Sequence, residues 1–262
     1  MPLPHKTSDL IPELGLIPHP EGGFFVETHR SGSIPMSSKG QTDLNVPDPT
    51  NGDLIVEANV VASSDNKLRR GLNRPDGDER RNALTSIYWV PTIQSPILML
   101  ATNCSDHVHY YQGGLSFMYY LLDPNADQPR LERVVLGPNL ERGEKLQVCV
   151  RGGMWKCGEI ILPGGDEDED GQQLGYEYSI IGEAVAPGFD FHDFAWITEE
   201  KIQEVVCSSS AEREKVAEIK KTLMKFVHRA AAKLEVEGKT VDDASDFYEK
   251  VKQQEDRTNE RS

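Results

Sequence analysis

The 262-residue chain carries 43 acidic and 28 basic residues, for a formal net charge of −15. That balance argues against non-specific binding to nucleic acid or an anionic membrane, since both depend on clustered Lys and Arg. A chain of this length typically buries roughly 70–75% of its unfolded surface, enough for a real core in one large domain or a domain with an appendage.

Part of the charge is local, in residues 166–170 (DEDED), which lack the ligand spacing of a calcium loop and read as a solvated acidic loop. Four cysteines, Cys104, Cys149, Cys157 and Cys207, have neither CxxC nor CxH spacing, so reduced thiols in an intracellular compartment are expected. The first residues lack the apolar core of a secretory signal, and no run approaches the ~20 apolar residues of a membrane span. A soluble cytoplasmic protein is the expectation, with a nuclear location as the alternative.

Taken in order, residues 7–16 predict a short helix capped by Thr7 or Ser8. Turn residues Pro20, Gly22 and Gly23 precede an alternating run from Phe24 to His29 that reads as a strand carrying Glu27 among aromatics. From 33 to 80 the composition turns to Ser, Asn, Asp, Gly, Pro and Arg around LIVEANVV (54–61), a strand or a short helical piece. Its flanks, 33–52 and 63–80, are expected to be mobile, because long structureless loops in compact domains are functional or disordered. Short β runs follow at 85–90, 97–101, 107–111, 115–122, 131–136, 146–151, 155–162, 176–186 and 189–197, separated by turn signals. Many short strands without intervening helices predict an antiparallel sandwich or barrel. Gln112, Gly113 and Gly114 join two aromatic-rich runs and predict a hairpin there, because glycine reaches positive φ without penalty. Beyond Trp196, a capping box of Ser209 and Glu212 opens an amphipathic pattern through Val216, Ile219, Leu223, Phe226 and Leu234 to a stop at Gly238. Thr240 and Asp243 cap a second helix with Phe247 and Val251 on its apolar side, before a polar tail at 257–262. These helices at 199–256 are expected to dock outside the β domain.

The segments PHPEGGFFVETHRS (18–31), TSIYWVP (85–91), SDHVHYYQGG (105–114), GEKLQVCVRGGMWKCG (143–158) and VAPGFDFHDFAWI (185–197) carry a family resemblance. In that order they resemble the uncharacterised fifth cupin family, a domain of unknown function with an RmlC-like fold. The resemblance implies an all-β, antiparallel jelly-roll barrel over residues 8–198, with a short N-terminal helix and a C-terminal helical appendage, and implies a homodimer. It also implies a metal held by two histidines and an acid from a first motif and a histidine from a second, a donor set suited to Fe, Mn, Zn or Ni. Aligned on Gly113, the acid of that set is Asp106, while the other positions fall on Leu100 or Thr102 and on Lys156, so no cofactor is expected and a divalent metal is disfavoured. If a metal binds, the candidates are Asp106, His107 and His109, the two histidines sharing a strand face. The resemblance further points to Glu27, Gln147 and Trp155 as ligand-binding residues, joined by Tyr110.

Three functions follow. The first is binding of a small polar molecule, of sugar, nucleotide-sugar or organic-acid type, in the barrel. The second is an epimerase or isomerase on a carbohydrate derivative, with His109 as base and Asp106 or Glu27 as its partner. The third is a dimeric interaction scaffold using the C-terminal helices.

Overall fold

The structure, a computed structural model, describes residues 3–35, 45–46, 54–55, 80–162, 175–207 and 212–228. Its strands are β1 (Ile17–Pro18), β2 (Phe24–Arg30), β3 (Ser33–Pro35), β4 (Asn45–Val46), β5 (Leu54–Ile55), β6 (Arg80–Asn82), β7 (Thr85–Val90), β8 (Ile97–Asn103), β9 (Asp106–Gly114), β10 (Phe117–Leu122), β11 (Leu131–Leu136), β12 (Gln147–Val150), β13 (Trp155–Ile160), β14 (Ser179–Ala186) and β15 (Phe194–Trp196). The helices are α1 (Thr7–Leu14), α2 (Glu199–Ile202) and α3 (Arg213–Leu223). Two antiparallel sheets hold the domain, one ordered β1-β2-β7-β14-β9-β12 and the other β11-β10-β13-β8-β15.

Alternation along these strands decides what lies between the sheets. Phe25, Trp89, Phe117, Tyr119, Leu121, Val148, Val150, Ile160 and Ile181 meet there in one buried cluster. The five-stranded sheet is apolar on its other face too, where Leu100, Leu122, Trp155 and Cys157 pack against Ile202, Val206, Ile219, Leu223 and Phe226. The C-terminal helices therefore cover the outer face of that sheet. Phe226 adds a carbonyl that accepts from the Leu100 amide at 2.8 Å.

The hairpin expected at Gly113 and Gly114 does not form. β9 pairs with β14 and β12, whereas β10 pairs with β11 and β13, so the glycines carry the chain from one sheet to the other. Gly114 has φ +81°, and a Cβ there would meet the Tyr178 carbonyl oxygen at 2.2 Å. Its role is a close backbone crossing beside an irregularity of β14 at Ile180 and Ile181.

The N-terminal helix ends two residues early, at Leu14, with Gly15 in the left-handed conformation. Neither Thr7 nor Ser8 caps it: the N-cap is Lys6, and the Thr7 amide donates to the Glu177 carboxylate at 3.2 Å. At the base of the insertion, β3 pairs with β6, and within it β4 pairs with β5. The rest of the insertion, the capping role of Ser209, the continuation to Leu234 and the second C-terminal helix lie outside the described residues. Within them α3 runs over Arg213–Leu223, and Glu212 stands at its N-cap without a side-chain cap bond.

Candidate functional site in the barrel interior

β9 sends His107 and His109 inward and Asp106, Val108 and Tyr110 outward, the alternation a regular strand imposes. Across the sheet, Glu183 of β14 stands directly opposite His109, on the same inward face. From the facing sheet, Lys156 of β13 points in between the outward Trp155 and Cys157. Register alone therefore converges two imidazoles, one carboxylate and one ammonium on the middle of the barrel, and all four residues are buried.

The distances fix the hydrogen-bond sense. His107 Nδ1 lies 2.7 Å from Glu183 Oε1, so that nitrogen donates to the carboxylate. Lys156 Nζ lies 3.4 Å from His109 Nε2, and since the ammonium only donates, this nitrogen carries the lone pair. His109 then has its proton on Nδ1, which lies 3.3 Å from Glu183 Oε2 without hydrogen-bonding to it. Lys156 Nζ is also 3.8 Å from Glu183 Oε1 and 3.4 Å from His107 Nδ1. The second of these is a contact rather than a bond, because that nitrogen already spends its proton on Glu183.

Electrostatics agree with neutral imidazoles facing an ion pair. Burial opposes ionisation of Glu183, but Lys156 and the two histidines outweigh it and hold its carboxyl well below the usual range. Burial lowers both histidines, with Lys156 adding to the effect and Glu183 opposing it, and His109 falls well below its ordinary value. Tyr119, whose ring is 4.9 Å from that of His109, is raised well above 10 by burial and then by Glu183 and Glu21.

Beside this cluster lies a cavity of about 10 Å³, close to the space of one water, lined in part by Glu21, Asn103, His107, Arg151, Met154 and Lys156. Glu21 reaches it from the turn before β2. That turn is pinned by three bonds: Trp89 Nε1 donates to the Gly22 carbonyl (2.8 Å), the Gly23 amide to Ser95 Oγ (2.9 Å) and the Met99 amide to the Glu21 carbonyl (2.8 Å). Burial, with Glu183 adding and Lys156 opposing, pushes the Glu21 carboxyl up to about 7. Asn103 Oδ1 accepts from the Ser105 amide at 2.8 Å, which leaves its Nδ2 buried without a partner. His107 Nε2 is likewise buried and unpartnered.

Of the residues singled out from sequence, only His107 and His109 meet in the interior. Asp106 faces out and accepts from the Gly152 amide at 2.7 Å, so it cannot partner His109. Tyr110 and Gln147 are cross-strand neighbours on the exposed face of β9 and β12, away from the cavity. Trp155 is 2% exposed but packs under the C-terminal helices. Glu27 forms a two-pronged bond with Arg30, both contacts 2.7 Å, and Arg30 also holds Asn82 and the Phe189 carbonyl. It is a structural clamp. The residues that sequence reasoning missed are Glu183 and Asn103, and Lys156 was noted there only as a lost ligand. Glu183 had a signal: it is the one charged residue in the otherwise apolar run SIIGEAVA.

The geometry also bears on the metal that the fold brings to mind. One ligand atom each from His107, His109 and Glu183 can be chosen within 4.8 Å of one another, a chemistry suited to first-row ions. The Lys156 ammonium does not suit such an ion, since it lies within 3.8 Å of all three.

Sequence comparison joins this architecture to a family: the description "Cupin superfamily (DUF985)" matches residues 8–197. The chain belongs to that family. It is 29% identical over 194 residues to the uncharacterised protein YML079W of Saccharomyces cerevisiae, covering 74% of this chain and 76% of the yeast protein. A hypothetical protein from Leishmania major has a similar solved structure, with TM-score 0.54 and 25% identity over 86% of this chain and 99% of that one. Protein SO0799 from Shewanella oneidensis shares the fold, with TM-score 0.52 and 20% identity over 85% and 97% of the two chains. The cupin jelly roll expected from sequence is thus the observed fold. Among the described residues no helix is long and apolar enough to cross a membrane.

Proposed function

We propose that this cupin domain binds a small hydroxy or keto acid at the centre of its barrel. The observation that carries the reading is the set of orphaned polar atoms, Asn103 Nδ2 and His107 Nε2 together with Thr102 Oγ1, on residues that line one cavity. A buried donor or acceptor left unpaired costs about 1–3 kcal/mol, so several of them at one cavity favour a guest that pairs them. Their chemistry is complementary. Asn103 Nδ2 and the Lys156 ammonium donate, which suits a carboxylate, while His107 Nε2 carries a lone pair, which suits a hydroxyl proton. Arg151 adds a second cation on the exposed side of the cavity. Size narrows the class further: a space of about 10 Å³ holds about one water, so even an acid of a few heavy atoms requires the Arg151 and Met154 side chains at its wall to move aside, and a nucleotide sugar is far too large.

A second reading has one specific observation behind it. His107 has its Nδ1 proton held by Glu183 and its Nε2 lone pair free, the arrangement of an oriented general base, so proton abstraction from carbon next to a carbonyl is within its means. His107 with Glu183 thereby replaces His109 with Asp106 or Glu27 as the acid–base pair.

A thermal-shift screen of glycolate, lactate, pyruvate, sugars and nucleotide sugars tests the binding reading. Glycolate or lactate should raise the melting temperature of the native chain and not that of Asn103→Ala. Stabilisation by nucleotide sugars alone, or by none of these, would refute it. For the catalytic reading, exchange of pyruvate methyl protons in D2O should occur with the native chain and be lost in His107→Ala; absence of exchange leaves binding alone.

A further inference from the structure

We propose that Lys156 is a tethered cation occupying the place of a divalent ion among His107, His109 and Glu183, and that this side chain alone keeps the chain from being a metal protein. The three residues are a competent donor set: two imidazoles and a carboxylate, buried, converging from adjacent strands β9 and β14, with ligand atoms within 4.8 Å of one another. Such a set in a closed interior ordinarily holds Zn, Fe, Mn or Ni. Here the facing strand β13 delivers an ammonium instead, 3.4 Å from a nitrogen of each histidine and 3.8 Å from the carboxylate.

Charge and hydrogen bonding explain why the two cations exclude each other. The ammonium neutralises Glu183 and saturates the lone pair of His109, the same electrons a metal would take. A divalent ion bound to the three residues would lie against a fixed like charge where little water can screen it. The lysine cannot swing away cheaply, because its stem is held in the barrel between the two sheets and 7% of the residue is exposed. A covalently attached cation also needs no uptake and cannot be stripped by a chelator. The site would therefore keep its geometry at any metal concentration.

This inference does not depend on what the cavity binds, and its test uses no organic ligand. The full chain and Lys156→Met, both treated with chelator, are titrated with Co²⁺ and followed by calorimetry and visible absorption. Lys156→Met keeps the stem and removes the charge. It should bind one equivalent at least about a hundredfold more tightly than the native chain, and the added change His109→Ala should abolish that gain. Lys156→Gln is the second variant and should behave likewise. A variant that folds only when Co²⁺ is present gives the same result in stronger form. One tight equivalent on the native chain, or no gain of Co²⁺ affinity in either variant, would overturn the proposal.

Discussion

Replacing Glu21 by Gln isolates one titration whose sign can be worked out. In the native chain burial raises the Glu21 carboxyl from 4.5 to about 7, so the folded protein holds a proton that the unfolded chain has already lost across that window. Stability therefore falls as pH rises through it, because the folded state binds more protons there. At about 1.4 kcal/mol per pH unit the loss amounts to about 3 kcal/mol by about pH 8. Glutamine has the shape of the protonated acid and no proton to lose. Glu21→Gln should match the native chain near pH 4 and exceed its stability by about 3 kcal/mol near pH 8. Urea unfolding followed by tryptophan fluorescence at half-unit pH steps measures the difference directly. A gap that stays constant with pH, or a variant less stable than native near pH 8, would mean that Glu21 is not the buried acid described.

Other substitutions test separate parts of the structure. Glu183→Gln leaves the Lys156 ammonium buried without its counter-charge and should cost about 3–5 kcal/mol in urea unfolding, against about 1 kcal/mol or less for breaking the exposed pair of Arg133 and Glu218. Trp155→Ala should cost about 3–5 kcal/mol by opening a void beneath the C-terminal helices, and should leave any glycolate-induced thermal shift unchanged, since Trp155 faces away from the cavity. Gly114→Ala should cost at least about 2 kcal/mol, because it combines positive φ with a Cβ 2.2 Å from the Tyr178 carbonyl oxygen; a neutral result would contradict the sheet-to-sheet crossing.

How much of this was legible follows from where each signal is encoded. Period-two alternation and turn residues marked the strands well, since both are local, and the runs from Thr85 to Trp196 fall close to where they were read. Which strands pair is non-local. The Gly113–Gly114 step looked like a hairpin because positive φ serves a tight turn and a corner between sheets equally. Strand phase was ambiguous wherever both faces are covered. Sequence alone reads Trp155 as a pocket residue, but helices cover the outer face of its sheet and give both phases an apolar environment. On β9 the phase holding His107 and His109 and the phase holding Asp106 and Tyr110 are both polar and ring-bearing, so alternation could pair the histidines without saying which way they point. Lys156 and Glu183 come from strands that never neighbour each other, β13 and β14, and no spacing rule joins them.

The measurement that goes most directly to the barrel-centre site is the ring ¹⁵N spectrum of His107 during titration with glycolate. With His107 assigned through its Ala variant, the account predicts a proton on Nδ1 and a bare Nε2 in the free protein, and a single saturable shift of Nε2 as the acid fills the cavity. A His107 ring protonated on Nε2, or one that no small hydroxy acid perturbs, would contradict it.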